Sequence, residues 1–292
     1  MAKQTATIEQ TSSAVTTVRI DVPDASWEQW ILLRSDAHHD SVYCDRDTER
    51  AHLVKAKERN ALIFDAGDLF DAMQGKFDPR RNMEDVRPED ASVYYYDRIV
   101  EHAFDDYKEF ASNFAIMGKG NHEIAVLKNT NHCITTSLVD KLRSSGSPVV
   151  IGNYGGWIRL LFKIYKTQRQ SILIYRFHGA GGEAPVTRGV IQTNRQAVYL
   201  PDADVIWNGH NHNSYVLPIA RLRCSDLGVV YKDICWHVRT PGYKNDFGDG
   251  ISGWEVERGG VPKPVGACWL HLKLERADGK QRVIMNMEQD IK

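Results

Sequence analysis

Five short segments of this 292-residue chain carry side chains that bind metal ions and move protons: Asp36-Ala37-His38, Gly67-Asp68, Gly120-Asn121-His122-Glu123, His178-Gly179 and Gly209-His210-Asn211-His212. Carboxylate, imidazole and amide oxygen in one set suit Mn²⁺, Fe or Zn²⁺. Ca²⁺ would want nearly all oxygen, and a structural zinc would want thiolates. Asp36 and His38 stand two residues apart, as do His210 and His212, so in extended chain each pair projects to one side and can grip a common site. Asp36, His38, Asp68, Asn121, His178, His210 and His212 exceed what one tetrahedral ion requires; two ions about 3.5 to 4 Å apart, sharing a carboxylate, would use them all. Glycines before Asp68, Asn121 and His210 and after His178 leave room for metal and substrate.

Each segment follows a short apolar run, at residues 30–34, 61–64, 114–117, 171–177 and 204–207, and these runs are predicted strands. In open α/β sheets ligands bind beyond the carboxyl ends of the strands, so segments far apart in sequence can converge there. Between the strands the pattern predicts amphipathic helices at 45–60, at 88–110 with Pro88 in the first turn, and at 135–143. From residue 215 the chain reads as β-rich, with strands at 215–222, 228–237, 268–275 and 282–287 and a hairpin turn at 277–280. The Gly- and Pro-rich stretch 242–264 reads as a long loop of functional or mobile character.

The series D-x-H, GD, GNHE, H and GHxH, in this order and each after an apolar run, resembles the calcineurin-like metallophosphoesterase superfamily over roughly residues 30–215. The resemblance implies a four-layer αββα sandwich and a dinuclear centre. One metal would be held by Asp36, His38, Asp68 and His212, and the other by Asp68, Asn121, His178 and His210, with Asp68 bridging. Mn is the first choice, with Fe, Zn or Ni as alternatives. Two such ions lower the pKa of a bridging water enough to supply hydroxide for in-line attack on phosphorus, so no protein nucleophile is required. His122 matches the family's non-ligand histidine and is assigned to protonating the leaving oxygen or stabilising its charge. Glu123 is the candidate to orient that imidazole.

The sequence Gly67-Asp68-Leu69-Phe70-Asp71 is similar to the second motif of DNA-repair-exonuclease-type phosphodiesterases, and it lacks the arginine that serine/threonine phosphatases carry shortly after GD. Nucleotide-lipid pyrophosphohydrolases share GDLF but usually have Arg where this chain has His122. The leading expectation is therefore a phosphodiesterase acting on DNA, RNA or nucleotides. A phosphomonoesterase acting on a small metabolite or phosphoprotein is the second reading, and a non-catalytic binding scaffold with the same fold is the third.

Composition limits these readings. With 42% hydrophobic residues and a formal net charge of -1, the chain is that of an ordinary globular protein without a broad cationic surface, so attraction for phosphate must be local to the site. No run approaches the about 18 apolar residues of a membrane span. Residues 1–17, rich in Thr, Ser and Gln, read as a disordered or loosely attached tail and not as a signal peptide, which points to the cytosol. Residues 18–292 read as one domain with a β-rich portion from about 215. The five cysteines are widely spaced without a C-x-x-C pair and are expected as reduced, mostly buried thiols.

Other chemically capable residues have plainer readings. His39, Asp40 and Asp65 are expected to support the site or the fold rather than bind metal. Lys76, Arg80 and Arg81 read as a solvated charged loop, and at least one of Tyr94, Tyr95 and Tyr96 as core. Residues 179–182 read as a close backbone approach to the metals, with Arg188 a candidate phosphate contact. His52, His102, His132, His237 and His271 receive no role.

Overall fold

All five apolar runs form strands, and their alternation determines which core each side chain enters. In β3 (Glu28–Arg34), Leu32 packs among helices while Ile31 and Leu33 face the opposite way, as period-2 pleating requires. The computed structural model describes residues 6–74, 81, 83–182, 186–247, 256, 259–277 and 279–292.

Two sheets carry the chain. One has six strands in the order β13-β12-β3-β4-β5-β6, with β4 (Leu62–Asp65), β5 (Phe114–Met117), β6 (Val150–Ile151), β12 (Gly266–Ala277) and β13 (Lys280–Ile291). The other has seven in the order β1-β2-β7-β8-β9-β11-β10: β1 (Ala6–Ser12), β2 (Val15–Val22), β7 (Gly155–Ile164), β8 (Gln168–Phe177), β9 (Val205–Asn208), β10 (Tyr215–Cys224) and β11 (Val230–Arg239). Leu33, Phe64 and Ile116 of the first sheet share one buried core with Val18, Phe162, Ile174 and Trp207 of the second. On the far side of the six-stranded sheet, Leu32, Ile63 and Met117 meet Leu53 of α1 (Arg46–Glu58), Ile99 of α2 (Tyr95–Tyr107), and Leu138 and Leu142 of α4 (Ile134–Ser144). On the far side of the seven-stranded sheet, α5 (Val190–Tyr199) sets Ala197 against Ile206 and Cys235. The layer order is helix, sheet, sheet, helix, the αββα sandwich expected. Each fully buried Leu, Ile or Phe in these cores contributes about 1.5–3 kcal/mol.

Strands β3, β4 and β5 are mutually parallel, as are β8 and β9. Their carboxyl ends therefore deliver the five polar segments to shared sheet edges. The helix expected at 45–60 is α1, capped by Asp45, whose carboxylate accepts from Thr48 N–H at 3.0 Å.

Two expectations about the fold are corrected. The first seventeen residues are not a loose tail where they are described: β1 and β2 form an antiparallel hairpin, and Ala6, Ile8 and Val18 pack on the inter-sheet core. Their Thr, Val and Ile residues favour a pleated, half-buried surface, which a composition rich in Thr and Ser concealed. The second helix starts at Tyr95, not at Pro88. Residues 88–91 form a turn, with Ala91 N–H on Pro88 O, and Asp90 meets Nδ1 of His102 on α2 instead of capping a first turn. The portion from residue 215 is β-rich as expected, with β10 and β11 in the seven-stranded sheet and β12 and β13 in the six-stranded one.

The hairpin predicted at 277–280 joins β12 to β13 through the pair Ala277 and Lys280, while Asp278 lies outside the described residues. Of the predicted charged loop, Arg81 is exposed, and Lys76 and Arg80 lie outside the described residues, as does part of 242–264. No helix among the described residues is long and apolar enough to cross a membrane. The five cysteines are unpaired, and Cys44, Cys235 and Cys268 are buried.

Candidate metal centre

Asp36 and Asp68 are both buried, and each has one oxygen tethered and one directed inward. Asp36 Oδ2 accepts the backbone N–H of His210 at 2.9 Å, while its Oδ1 is buried without a hydrogen-bond partner. Asp68 Oδ1 accepts the backbone N–H of His122 at 2.9 Å, while its Oδ2 lies 3.0 Å from Nε2 of His178. Around these oxygens the other expected ligands converge. His178 Nε2 is 3.2 Å from Asn121 Oδ1 and 3.9 Å from Asp36 Oδ1. His212 Nε2 is 3.6 Å from Asp36 Oδ1 and 3.3 Å from His38 Nε2.

Three groups bring their ligand atoms within 4.8 Å of one another: Asp36, His38 and His212; Asp68, His178 and His210; and His38, Asp68 and His122. All seven residues read as ligands thus meet in one place, together with His122. An orphaned buried carboxylate oxygen, a buried His210 Nδ1 without a partner and a mixed oxygen and nitrogen donor set fit divalent cations better than they fit each other.

The backbone is strained at these positions. Asp36 (φ 54°), His38 (47°), Asp68 (52°), His210 (78°) and His212 (55°) all adopt left-handed conformations that L-residues rarely occupy. Such conformations persist only where surrounding structure enforces them, and they cluster at functional sites. Glycine is required beside both carboxylates. A Cβ on Gly120 would lie 2.0 Å from Asp68 Oδ1, and one on Gly209 would lie 2.5 Å from Asp36 Oδ2.

Hydrogen bonds on the far sides of the imidazoles set their tautomers. His178 Nδ1 faces the carbonyl of Ala66 at 3.2 Å, and His122 Nδ1 faces the carbonyl of Asp71. A carbonyl only accepts, so both Nδ1 atoms carry the proton and both Nε2 atoms face the centre. His38 Nδ1 is held 2.7 Å from the Asp71 carboxylate. Burial alone would raise the Asp68 carboxyl, but the imidazoles of His178 and His122 outweigh it and hold it well below the usual range. Burial disfavours a charged His178, and Asp68 and Asp36 overcome it, lifting that imidazole to about 9. In the metal-free chain a proton on His178 thus occupies the electrostatic place that a cation would take.

Glu123 does not orient His122, which corrects the sequence reading. Its carboxylate accepts backbone N–H bonds from Gly120 (2.7 Å), Asp68 (3.1 Å) and Phe70 (3.1 Å), bracing the Gly67–Phe70 loop against the start of α3 (Asn121–Thr130). The Asp71 carbonyl holds His122 instead.

The neighbouring polar residues support the site. Asp40 accepts the N–H groups of Asp71 and Ala72 and the hydroxyl of buried Tyr95. Asp65 pairs with buried Arg34 and accepts the Gly67 N–H that shapes the turn into Asp68. His39 contacts Asp106. A Cβ on Gly179 would lie 2.4 Å from His210 Cβ, so the backbone there runs directly against the His210 side chain. Arg188 is exposed. Sequence reasoning missed three supports. Asp71 closes the Gly67–Asp71 motif; Tyr154, whose hydroxyl bonds Gly179 O and whose ring stands edge-on to His178, and Lys244, on Asp71, carry no local signal in the sequence.

No protein-family model matches the chain, and no curated protein matches it in sequence. Among solved structures it is similar to vacuolar protein sorting 29 from Cryptosporidium parvum, at 12% identity over 90% of this chain and 100% of that one, with a TM-score of 0.37. A predicted phosphoesterase from Streptococcus pneumoniae TIGR4 gives 11% identity, 90% and 100% coverage and a TM-score of 0.32. GAP50, the anchor in the inner membrane complex of Plasmodium, gives 11%, 91% and 89%, and 0.42. The chain's own layer order is the four-layer αββα sandwich that the motif resemblance implies, with the five polar segments at its strand ends.

Proposed function

We propose that the protein is a dinuclear metal-dependent phosphoesterase that hydrolyses phosphodiester bonds, in nucleic acid or nucleotides. The observation carrying this reading is the pair of tethered carboxylates: Asp36 and Asp68 each present one oxygen to a space ringed by four imidazoles and an amide oxygen, with His122 Nε2 at its edge, 3.7 Å from Asp68 Oδ2. Asp36, His38 and His212 would hold one cation and Asn121, His178 and His210 the other, with Asp68 between them. Such ions would supply hydroxide near neutral pH and neutralise the phosphoryl oxygens. Mn is the first choice of metal. Both sheets contribute ligands, which supports reading the chain from β1 onward as one unit.

In this reading His122 acts from its imidazolium form: it would give the Nε2 proton to the departing oxygen and keep the Nδ1 proton on the Asp71 carbonyl, which holds the ring in orientation. A general acid matters most for a poor leaving group such as an unactivated sugar alkoxide, which favours diesters. The Gly67–Asp71 resemblance to nuclease-type members points the same way.

Metal analysis of the purified protein, joined to a panel of bis(p-nitrophenyl) phosphate, p-nitrophenyl phosphate, ssDNA, dsDNA, RNA and cyclic nucleotides with Mn²⁺, tests the proposal. Two equivalents of metal and preference for the diesters are expected. Preference for p-nitrophenyl phosphate would make the protein a monoesterase. A metal-free protein inert on the whole panel would leave a binding scaffold.

A further inference from the structure

Lys244 reaches the centre from a segment that supplies no ligand. Its backbone is stitched to the first ligand loop: Tyr243 N–H donates to Asp36 O (2.9 Å), Asp45 N–H to Tyr243 O (2.7 Å) and Asn245 N–H to Tyr43 O (2.8 Å). The side chain points inward, 7% exposed, with Nζ 3.1 Å from Asp71 Oδ1. That same oxygen stands 2.7 Å from Nδ1 of His38, whose Nε2 faces His212. One carboxylate oxygen is therefore shared between a ligand imidazole and a buried ammonium. The Asp71 backbone that carries this carboxylate is itself fixed, its N–H by Asp40 and its carbonyl by His122.

We propose that Lys244 is a positioning residue that moderates how tightly the Asp36, His38 and His212 position holds its cation, by neutralising Asp71 behind His38. The inference rests on the metal-centre reading above. An imidazole whose Nδ1–H faces a full carboxylate is a stronger donor at Nε2. An ammonium on the same oxygen draws off part of that effect and adds repulsion toward a nearby dication. The two states also differ in what they need. Without metal, Lys244 is the cation that compensates buried Asp71; with metal bound, a dication beyond His38 does so from the other side. Removing the lysine charge therefore raises the free energy of the metal-free state more than that of the loaded state, and affinity at this position rises. A plain structural brace would have the opposite sign, since losing a support of a ligand ordinarily lowers affinity.

The test is calorimetric titration of chelator-stripped, full-length protein with Mn²⁺, resolving two binding steps. Lys244→Gln, which keeps a donor to Asp71 without the charge, is expected to tighten one step by roughly tenfold and leave the other unchanged, while Lys244→Arg behaves as wild type. Asp71→Asn is expected to move the same step the other way, weakening it by about 10- to 100-fold. Unchanged or weaker binding in Lys244→Gln overturns the proposal. If circular dichroism shows that Lys244→Gln is unfolded, Lys244→Met is read by the same criterion. A wild-type protein that takes up no Mn²⁺ would overturn the metal-centre reading itself, an outcome distinct from two normal steps indifferent to Lys244.

Discussion

The backbone N–H of His122 donates to Oδ1 of Asp68 at 2.9 Å, while the His122 side chain places Nε2 3.7 Å from the other oxygen of the same carboxylate. One residue thus fixes the Asp68 carboxylate through its main chain and, in the proposed reading, would act on substrate with its side chain. The two roles are separable by mutation, because only the second depends on the imidazole.

His122→Ala should retain two metals and lose turnover by about 10²- to 10⁴-fold, the usual contribution of a positioned general acid. Elemental analysis together with kcat on bis(p-nitrophenyl) phosphate checks this. Turnover equal to wild type would remove His122 from the chemistry.

Asp68→Asn should weaken metal loading at both positions, since the inward oxygen loses its charge while the His122 N–H still holds the other. Metal content after dialysis is the measurement. Retention of two full equivalents would show that Asp68 is not shared.

Glu123→Ala removes the acceptor of the Gly120, Asp68 and Phe70 N–H groups and leaves buried donors unpaired. A loss of about 3 kcal/mol is expected at roughly 1–3 kcal/mol per unsatisfied group with partial relaxation. Urea unfolding reads it. Destabilisation below 1 kcal/mol would mean that water or relaxation replaces these bonds.

Chelated protein should lose stability as the solution becomes alkaline. Burial opposes charge on His178, yet Asp68 and Asp36 raise it to about 9. A folded-state value above the unfolded one, about 6.5, contributes stability that is complete below pH 6.5 and is lost as pH rises through 9. Asp36 acts at the other end: burial is outweighed by His212 and His178, its carboxyl falls to about 2, and its contribution is present above about 4 and lost as pH falls through 2. Melting temperatures of chelated and Mn²⁺-loaded protein should therefore diverge between pH 7 and 9.5, as the ion takes over the role of the proton. A constant difference across that range would contradict the assignment.

Much of this molecule could be read along the chain. Each ligand segment stands directly after its strand because a buried parallel strand must be apolar and its carboxyl end must turn, so run and motif are adjacent in sequence. Elements failed where local signals competed with distant ones. Pro88 and its acidic neighbours look like a helix start, but Asp90 is claimed by His102 from α2. Thr-rich β1 looks unstructured until β2 supplies a partner and the inter-sheet core receives Ile8.

The sequence by itself determined the donor types, the strands that carry them and the layered fold, because these follow from side-chain chemistry and from hydrophobic period. The tertiary structure alone decided who holds whom. Glu123 lies next to His122 in sequence, which suggests a pairing, yet the helical start of α3 turns its carboxylate toward the backbone of the Asp68 loop. Asp71 stands 33 residues from His38, and Lys244 a further 173 beyond Asp71, and nothing in the local pattern relates them. Hydrogen bonds and ion pairs act over about 3 Å of space regardless of separation along the chain. The contacts that orient the ligands therefore exist only once the sheet edges have brought their loops together.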